Sequence, residues 1–420
     1  MLFISELYPL FEKGLEANLT HQTTPHQGLP LTPGSGPVRR LALALGSALL
    51  TVASHAATPS ATQVLMPMYS PAEVMQGLYS QHLPPLSQRF AAEADALVTA
   101  TQQYCQSLPT PGTPLPARQA AWTRLHTQWQ HTMLAWESLS TPAVGPMLTR
   151  RSQRQIDFWP TRPELLTKAL AKAPQTLADM ETVGTLAKGL PAMELMMTPW
   201  RPVAAGQRSG SIAPSVASCR YLGLLAQGVQ VEATELGAEL ATWAAKDWEQ
   251  TPDDTAIAMA EWVNQWLGGL ERLRWAHLEK PLKTAQTLGE TRKNSTPQFA
   301  RMGRETNLAG WRAQWHSLLA QGRLSEAQRT QPPTPGQALV PIEALLLGQG
   351  QIALAQRWAQ ALDAVNTRID QLPAQASSRA AEQRELLALT AALKAITVLF
   401  QNEVASALDI ALGFSDADGD

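Results

Sequence analysis

Apolar residues recur along this chain at the spacing of a helix. Trp122, Leu125, Trp129, Met133 and Trp136 follow one another at intervals of 3, 4, 4 and 3, which lays them along one helix face. Cys219, Leu222, Leu225, Val229, Leu236, Leu240 and Trp243 form a second stripe within 214–248. Similar patterns run through 71–107, 253–280, 338–371 and 378–408, while period-two alternation is scarce and β-branched residues are few. Pro- and Gly-rich segments separate these runs: "LPTPGTPLP" (108–116), "STPAVGP" (140–146), "WPTRP" (159–163), "TPWRPVAAGQRSGS" (198–211) and "RTQPPTPGQ" (329–337), with a polar stretch near 283–305. Such punctuation ends helices. The pattern predicts an all-α fold of long helices packed as bundles. A division near the end of the second stripe gives two halves, 58–245 and 246–420. A Trp-rich helix in each, "AWTRLHTQW" (121–129) and "GWRAQWHSLL" (310–319), hints at an internal duplication. The Trp122–Trp129–Trp136 stripe could stack against a flat ligand, but aromatic residues at this spacing more often fill a bundle core.

The N-terminus follows another rule. Arg39 and Arg40 precede the apolar run "LALALGSALLTVA" (41–53) and the small residues "SHAA" (54–57). This is the order of a secretory signal, here 37–57, with cleavage expected after Ala56 or Ala57. The run is short for a membrane span. A leader of uncertain status, 1–36, stands ahead of it and leaves open a start codon downstream of Met1. The mature chain is expected to be exported and soluble, with no stable membrane span. A net charge of −2 with 16% charged residues gives no sign of a nucleic-acid partner. In the oxidising compartment an exported chain reaches, the two cysteines, Cys105 and Cys219, are expected to form one bridge, the alternative being two buried thiols.

Familiar catalytic signatures are missing: the sequence has no HExxH, no GxSxG elbow, no P-loop and no GxGxxG opening a helix. Beyond the signal the histidines are His82, His126, His131, His277 and His316, with no pair on one helix face. The terminal "DADGD" (416–420) resembles the start of a calcium loop without its later ligands, or a solvated acidic tail.

One stretch asks for a chemical explanation. "KGLPAMEL" (188–195) places a single acid, Glu194, among Leu190, Ala192, Met193, Leu195, Met196 and Met197. Gly189 and Pro191 suit a helix entry. An ionised carboxylate in an apolar setting needs a partner or a proton. The nearest supply of cations is "TRRSQRQIDFWP" (149–160), and Arg154 is the expected partner. Gly189, Pro191, Glu194, Arg154 and Trp159 then mark a candidate cleft, open to an anion, a small ligand or a metal ion. The competing reading is a salt bridge that only locks two helices.

Taken together, "LTRRSQRQIDFWP", "GLPAMELMM", "SCRYLGLLAQGV" and "LGFSDADGD" resemble, in this order, motifs of the imelysin-like family, also called peptidase M75. "GLPAMELMM" resembles the family's GxHxxE motif, with Pro191 standing where the motif has His. The resemblance implies two helical bundles related by duplication, a place in the periplasm and a part in iron acquisition, with iron or zinc as candidate cofactors and Glu194 as a candidate metal ligand. It also implies possible partners among envelope iron-uptake or redox components. Three functional readings stand at this level: a non-enzymatic binding or accessory component of iron acquisition, an M75-type metallopeptidase, or a structural protein of the envelope. The missing motif His weakens metal binding and peptidase activity together.

Overall fold

The computed structural model describes residues 65–107, 114–200, 215–291, 296–375 and 378–413. The signal and leader (1–57) and the "DADGD" tail lie outside the described residues. Every regular element among the described residues is helical, with no strand. The helix Leu83–Ser107 packs against both Leu115–Leu139 and Val216–Ala244, with the short helix Gly189–Met197 against the last. The helices Pro252–Glu271, Arg304–Gly322, Ile352–Gln371 and Arg379–Leu399 pack similarly. Helices Leu115–Leu139 and Arg304–Gly322, which carry the two Trp-rich segments, lie against each other.

The apolar stripes form the core. Leu125, Trp129, Met133 and Trp136 are buried, as are Leu222, Leu225, Val229, Leu236 and Leu240. Trp129 and Trp122 also direct their indole N–H groups to the carbonyls of Leu190 and Met197, at 3.0 and 3.1 Å. The stripe therefore fills the interior and clamps both ends of the Gly189–Met197 helix. Cys105 and Cys219 are bridged. The bond ties the end of one long helix to the start of another across 114 residues.

Two boundaries differ from the sequence reading. The pattern over 338–371 is two helices, Ile342–Gly348 and Ile352–Gln371. Gly350 turns the chain with φ +75°, a left-handed value that favours glycine. Gly348 lets the backbone of Pro67 approach so closely that a Cβ would lie 2.3 Å from its carbonyl oxygen. The stretch near 283–305, expected as a break, is helical as far as Thr291, because Leu282 still reaches the core. Among the described residues, three of the long helical runs also contain π-helical turns, at Leu78–His82, Arg272–Glu279 and Phe400–Val404. Among the described residues one helix, Arg379–Ala407, has the length and mean hydropathy, 1.2, of a membrane span. Leu386, Leu389, Leu393, Ile396, Phe400 and Val404 bury one face of it in the core, which a bundle helix requires.

Candidate functional site

Gly189 sets the position of everything after it. Its φ is +69°, and a Cβ there would lie 2.2 Å from the carbonyl oxygen of Ile156. Only glycine allows the helix to start hard against the 152–157 turn. Pro191 falls in the first helical turn, where its missing N–H costs nothing. Tyr221 holds the entry through a 2.7 Å hydrogen bond to the Ala187 carbonyl. Glu194 is thereby fixed at 5% exposure.

The partner of Glu194 is not the one expected. Arg154 is exposed. On its short helix, Ser152–Ile156, the two ends turn inward and are buried, so a residue two positions from Ser152 points away. Arg150, from the same Arg-rich segment, binds Glu232, Glu235 and Glu239 on the Val216–Ala244 helix. Glu194 instead accepts the backbone N–H of Met302 at 2.9 Å. Burial pushes its pKa up, while the charge of Arg301 pulls it down. Burial prevails and raises the Glu194 pKa from 4.5 to about 7. Asp157 adds to the rise, and the Met302 amide works against it.

Arg301 is committed elsewhere. Its guanidinium grips Asp157 through both nitrogens, at 2.8 and 2.6 Å, and reaches Glu137 at 3.0 Å. All three side chains are nearly sealed from solvent. Arg301 is held charged by these carboxylates, against its own desolvation. Glu137 is pushed upward by burial and by Asp157, against Arg301 and Arg272. Arg272 sits behind the cluster and donates to the Ser140 carbonyl and to Thr141, each at 2.8 Å. His277 pairs its Nδ1 with the Gln314 amide at 3.0 Å. Burial and the two arginines depress its pKa to about 3, so it is neutral at physiological pH. Asn307 fixes the loop that carries Arg301 by accepting its backbone N–H and donating to its carbonyl.

Trp159, Pro191 and Glu194 line one cleft of about 540 Å³, together with Phe299, Arg301 and Trp311. Gly189 opens instead on a smaller depression of about 250 Å³ beside Glu232 and Glu235, and Arg154 lines neither. Sequence reasoning missed Arg301, Glu137 and Met302. Arg301 lay in a stretch read only as a break, and nothing in its local pattern signals burial. Asp157 did lie inside the quoted Arg-rich motif, and its place among apolar Ile156, Phe158 and Trp159 was the available clue.

The donor set does not suit a metal cation. Pro191 supplies no ligand atom. One Glu194 oxygen holds an amide, and Asp157 and Glu137 are engaged by Arg301. A guanidinium at the floor opposes a second positive charge. Among the described residues, no group of three or more His, Cys, Asp or Glu is arranged to hold a metal ion, whereas a protein zinc site takes three or four such ligands.

The model of the imelysin family, peptidase M75, matches residues 82–401. Among solved structures, an imelysin-like protein from Psychrobacter arcticum 273-4 has 18% identity and a TM-score of 0.57, covering 84% of this chain and 100% of its own. An iron-regulated protein A precursor from Parabacteroides distasonis ATCC 8503 has 11% identity and a TM-score of 0.56, covering 80% of this chain and 98% of its own. At these identities the two structures speak for the shared fold. No curated protein matches the chain.

Proposed function

We propose, from the premise that this chain belongs to the imelysin family, that it is an exported binding component of iron acquisition rather than an enzyme. The observation that carries this reading is the cleft over Glu194: a buried acid, without a salt-bridge partner among the described residues, facing a space large enough for a small ligand. Such an acid is costly unless something uses it. The other carboxylate of the cleft, Glu382, is paired with Arg304. Neither a histidine nor a cysteine is among the described residues that line it, so the groups that most often serve as base and nucleophile are not gathered there. The iron connection comes from the name of the Parabacteroides relative, and export from the signal pattern at 37–57. Envelope iron-uptake or redox components are the partners this reading assigns.

The test is genetic and needs no knowledge of the ligand. The gene is deleted in its host and restored as wild type or as Glu194→Gln, and growth is followed with and without an iron chelator. The reading expects a defect confined to iron limitation, restored by the wild type and not by Glu194→Gln, with the protein recovered from the periplasmic fraction. Equal growth of all strains under iron limitation, or full rescue by Glu194→Gln, would contradict it.

A further inference from the structure

We infer that the cleft takes an organic cation, a protonated amine or guanidinium carried on a flat or apolar body, with Glu194 as the acceptor for its charged head. The inference rests on the binding reading above and names the class of ligand.

The charge of the floor comes first. Three carboxylates, Glu137, Asp157 and Glu194, meet two guanidiniums, Arg301 and Arg272, which take part in the same electrostatic network. Arg301 spends its hydrogen bonds on Asp157 and Glu137. Glu194 is left with one neutral donor, the Met302 amide, and with no ion pair among the described residues. With Glu137 and Glu194 ionised, the unmatched charge is negative. A ligand anion would meet Glu194 and find Arg301 already engaged. A monocation would complete the set, and a charge-assisted hydrogen bond to a buried carboxylate is strong.

The walls then separate an organic cation from a metal ion. A metal needs several converging donors, and among the described residues the cleft offers a single free acid. What it offers in quantity is flat apolar surface: Trp159, Pro160, Pro163, Pro191, Phe299 and Trp311. Aromatic faces attract ammonium and guanidinium groups through the ring quadrupole. Beyond Phe299 a second depression of about 400 Å³ shares Pro297, Phe299 and Glu382 with the cleft and adds Leu282 and Leu386. An apolar body longer than the head has a place to lie. Among the described residues, the only other charges lining the cleft, Arg304 and Glu382, pair with each other.

The chemistry has two sources, a free small amine or the basic side chain of a partner peptide. The experiment compares four probes by calorimetry on the purified mature protein: 4-phenylbutylamine, its alcohol 4-phenylbutanol, the capped dipeptide acetyl-Phe-Lys-amide, and zinc or ferric ion alone. The expected result is saturable binding of an amine-bearing probe, weakened at least about tenfold in the alcohol, which keeps the body and loses the charge. Preference for phenylbutylamine would assign a free amine, and preference for the dipeptide a basic side chain; both support the inference. Glu194→Gln should weaken amine binding to the level of the alcohol. Because the amine-to-alcohol comparison is made on the wild type, a variant that fails to fold does not blunt the test. Equal binding of amine and alcohol, binding of neither, or stoichiometric metal binding lost in Glu194→Gln would overturn the inference. The growth phenotype is read separately, so a chain that acts in iron acquisition but ignores amines is distinguished from one that does neither.

Discussion

Arg154 and Arg301 should respond oppositely to removal. Arg301→Met leaves Asp157 and Glu137 buried without their cation, a defect that typically costs about 3–5 kcal/mol. Arg154→Ala changes an exposed side chain and should stay within about 0.5 kcal/mol. Urea denaturation of both variants checks the contrast, and comparable losses would show that the ion network is misassigned. Glu194 makes a prediction in pH. Its folded pKa, about 7, lies above its ordinary 4.5, so between those values the native state holds a proton that the unfolded chain has released. Stability from this group is present below 4.5 and is lost as pH rises to 7. Glu194→Gln removes that loss. The variant should therefore gain on the wild type by about 2–3 kcal/mol between pH 5 and pH 8. A difference that does not change with pH would mean an acid with an ordinary pKa.

The element that matters most is the nine-residue helix Gly189–Met197. Gly189→Ala forces a Cβ against the Ile156 carbonyl at a left-handed φ, which should cost about 2 kcal/mol or more. Trp129→Phe strips the Leu190 carbonyl of its buried donor and should cost about 1–3 kcal/mol while leaving the helix in place. Thermal melts and far-ultraviolet circular dichroism on both variants test this, and a Gly189→Ala protein as stable as the wild type would remove the close-approach argument. The helix was legible in the sequence: a Gly–x–Pro entry followed by one acid in an apolar run is a local signal. So were the long helices, because a 3–4 spacing of Trp and Leu survives without any tertiary information. The partner of Glu194 was not legible. Arg154 is 40 positions away in sequence and Met302, whose amide Glu194 accepts, more than a hundred, and proximity along the chain favoured the wrong group. Which group meets a buried acid is decided by how helices pack, and a single sequence carries no local trace of that.

At the scale of the whole molecule the Cys105–Cys219 bridge closes a loop of 114 residues. In the chain-entropy model that is worth about 4–5 kcal/mol. Replacing both cysteines by serine should lower the urea midpoint accordingly without changing the helical spectrum, and an unchanged midpoint would show that the bridge adds nothing. The cleft also belongs to this scale. Trp159, Pro191 and Glu194 come from before residue 245, and Phe299, Arg301 and Trp311 from after it, so no single run of the sequence could have displayed it. The account turns on one group: a buried, proton-sharing acid that faces a space and awaits a cation. The direct measurement is the carbon-13 NMR titration of the Glu194 carboxyl, assigned by its absence in Glu194→Gln, with and without 4-phenylbutylamine. The account predicts a midpoint near 7 in the free protein, moving down when the amine binds. A midpoint near 4.5, or one that the amine leaves unmoved, would contradict it.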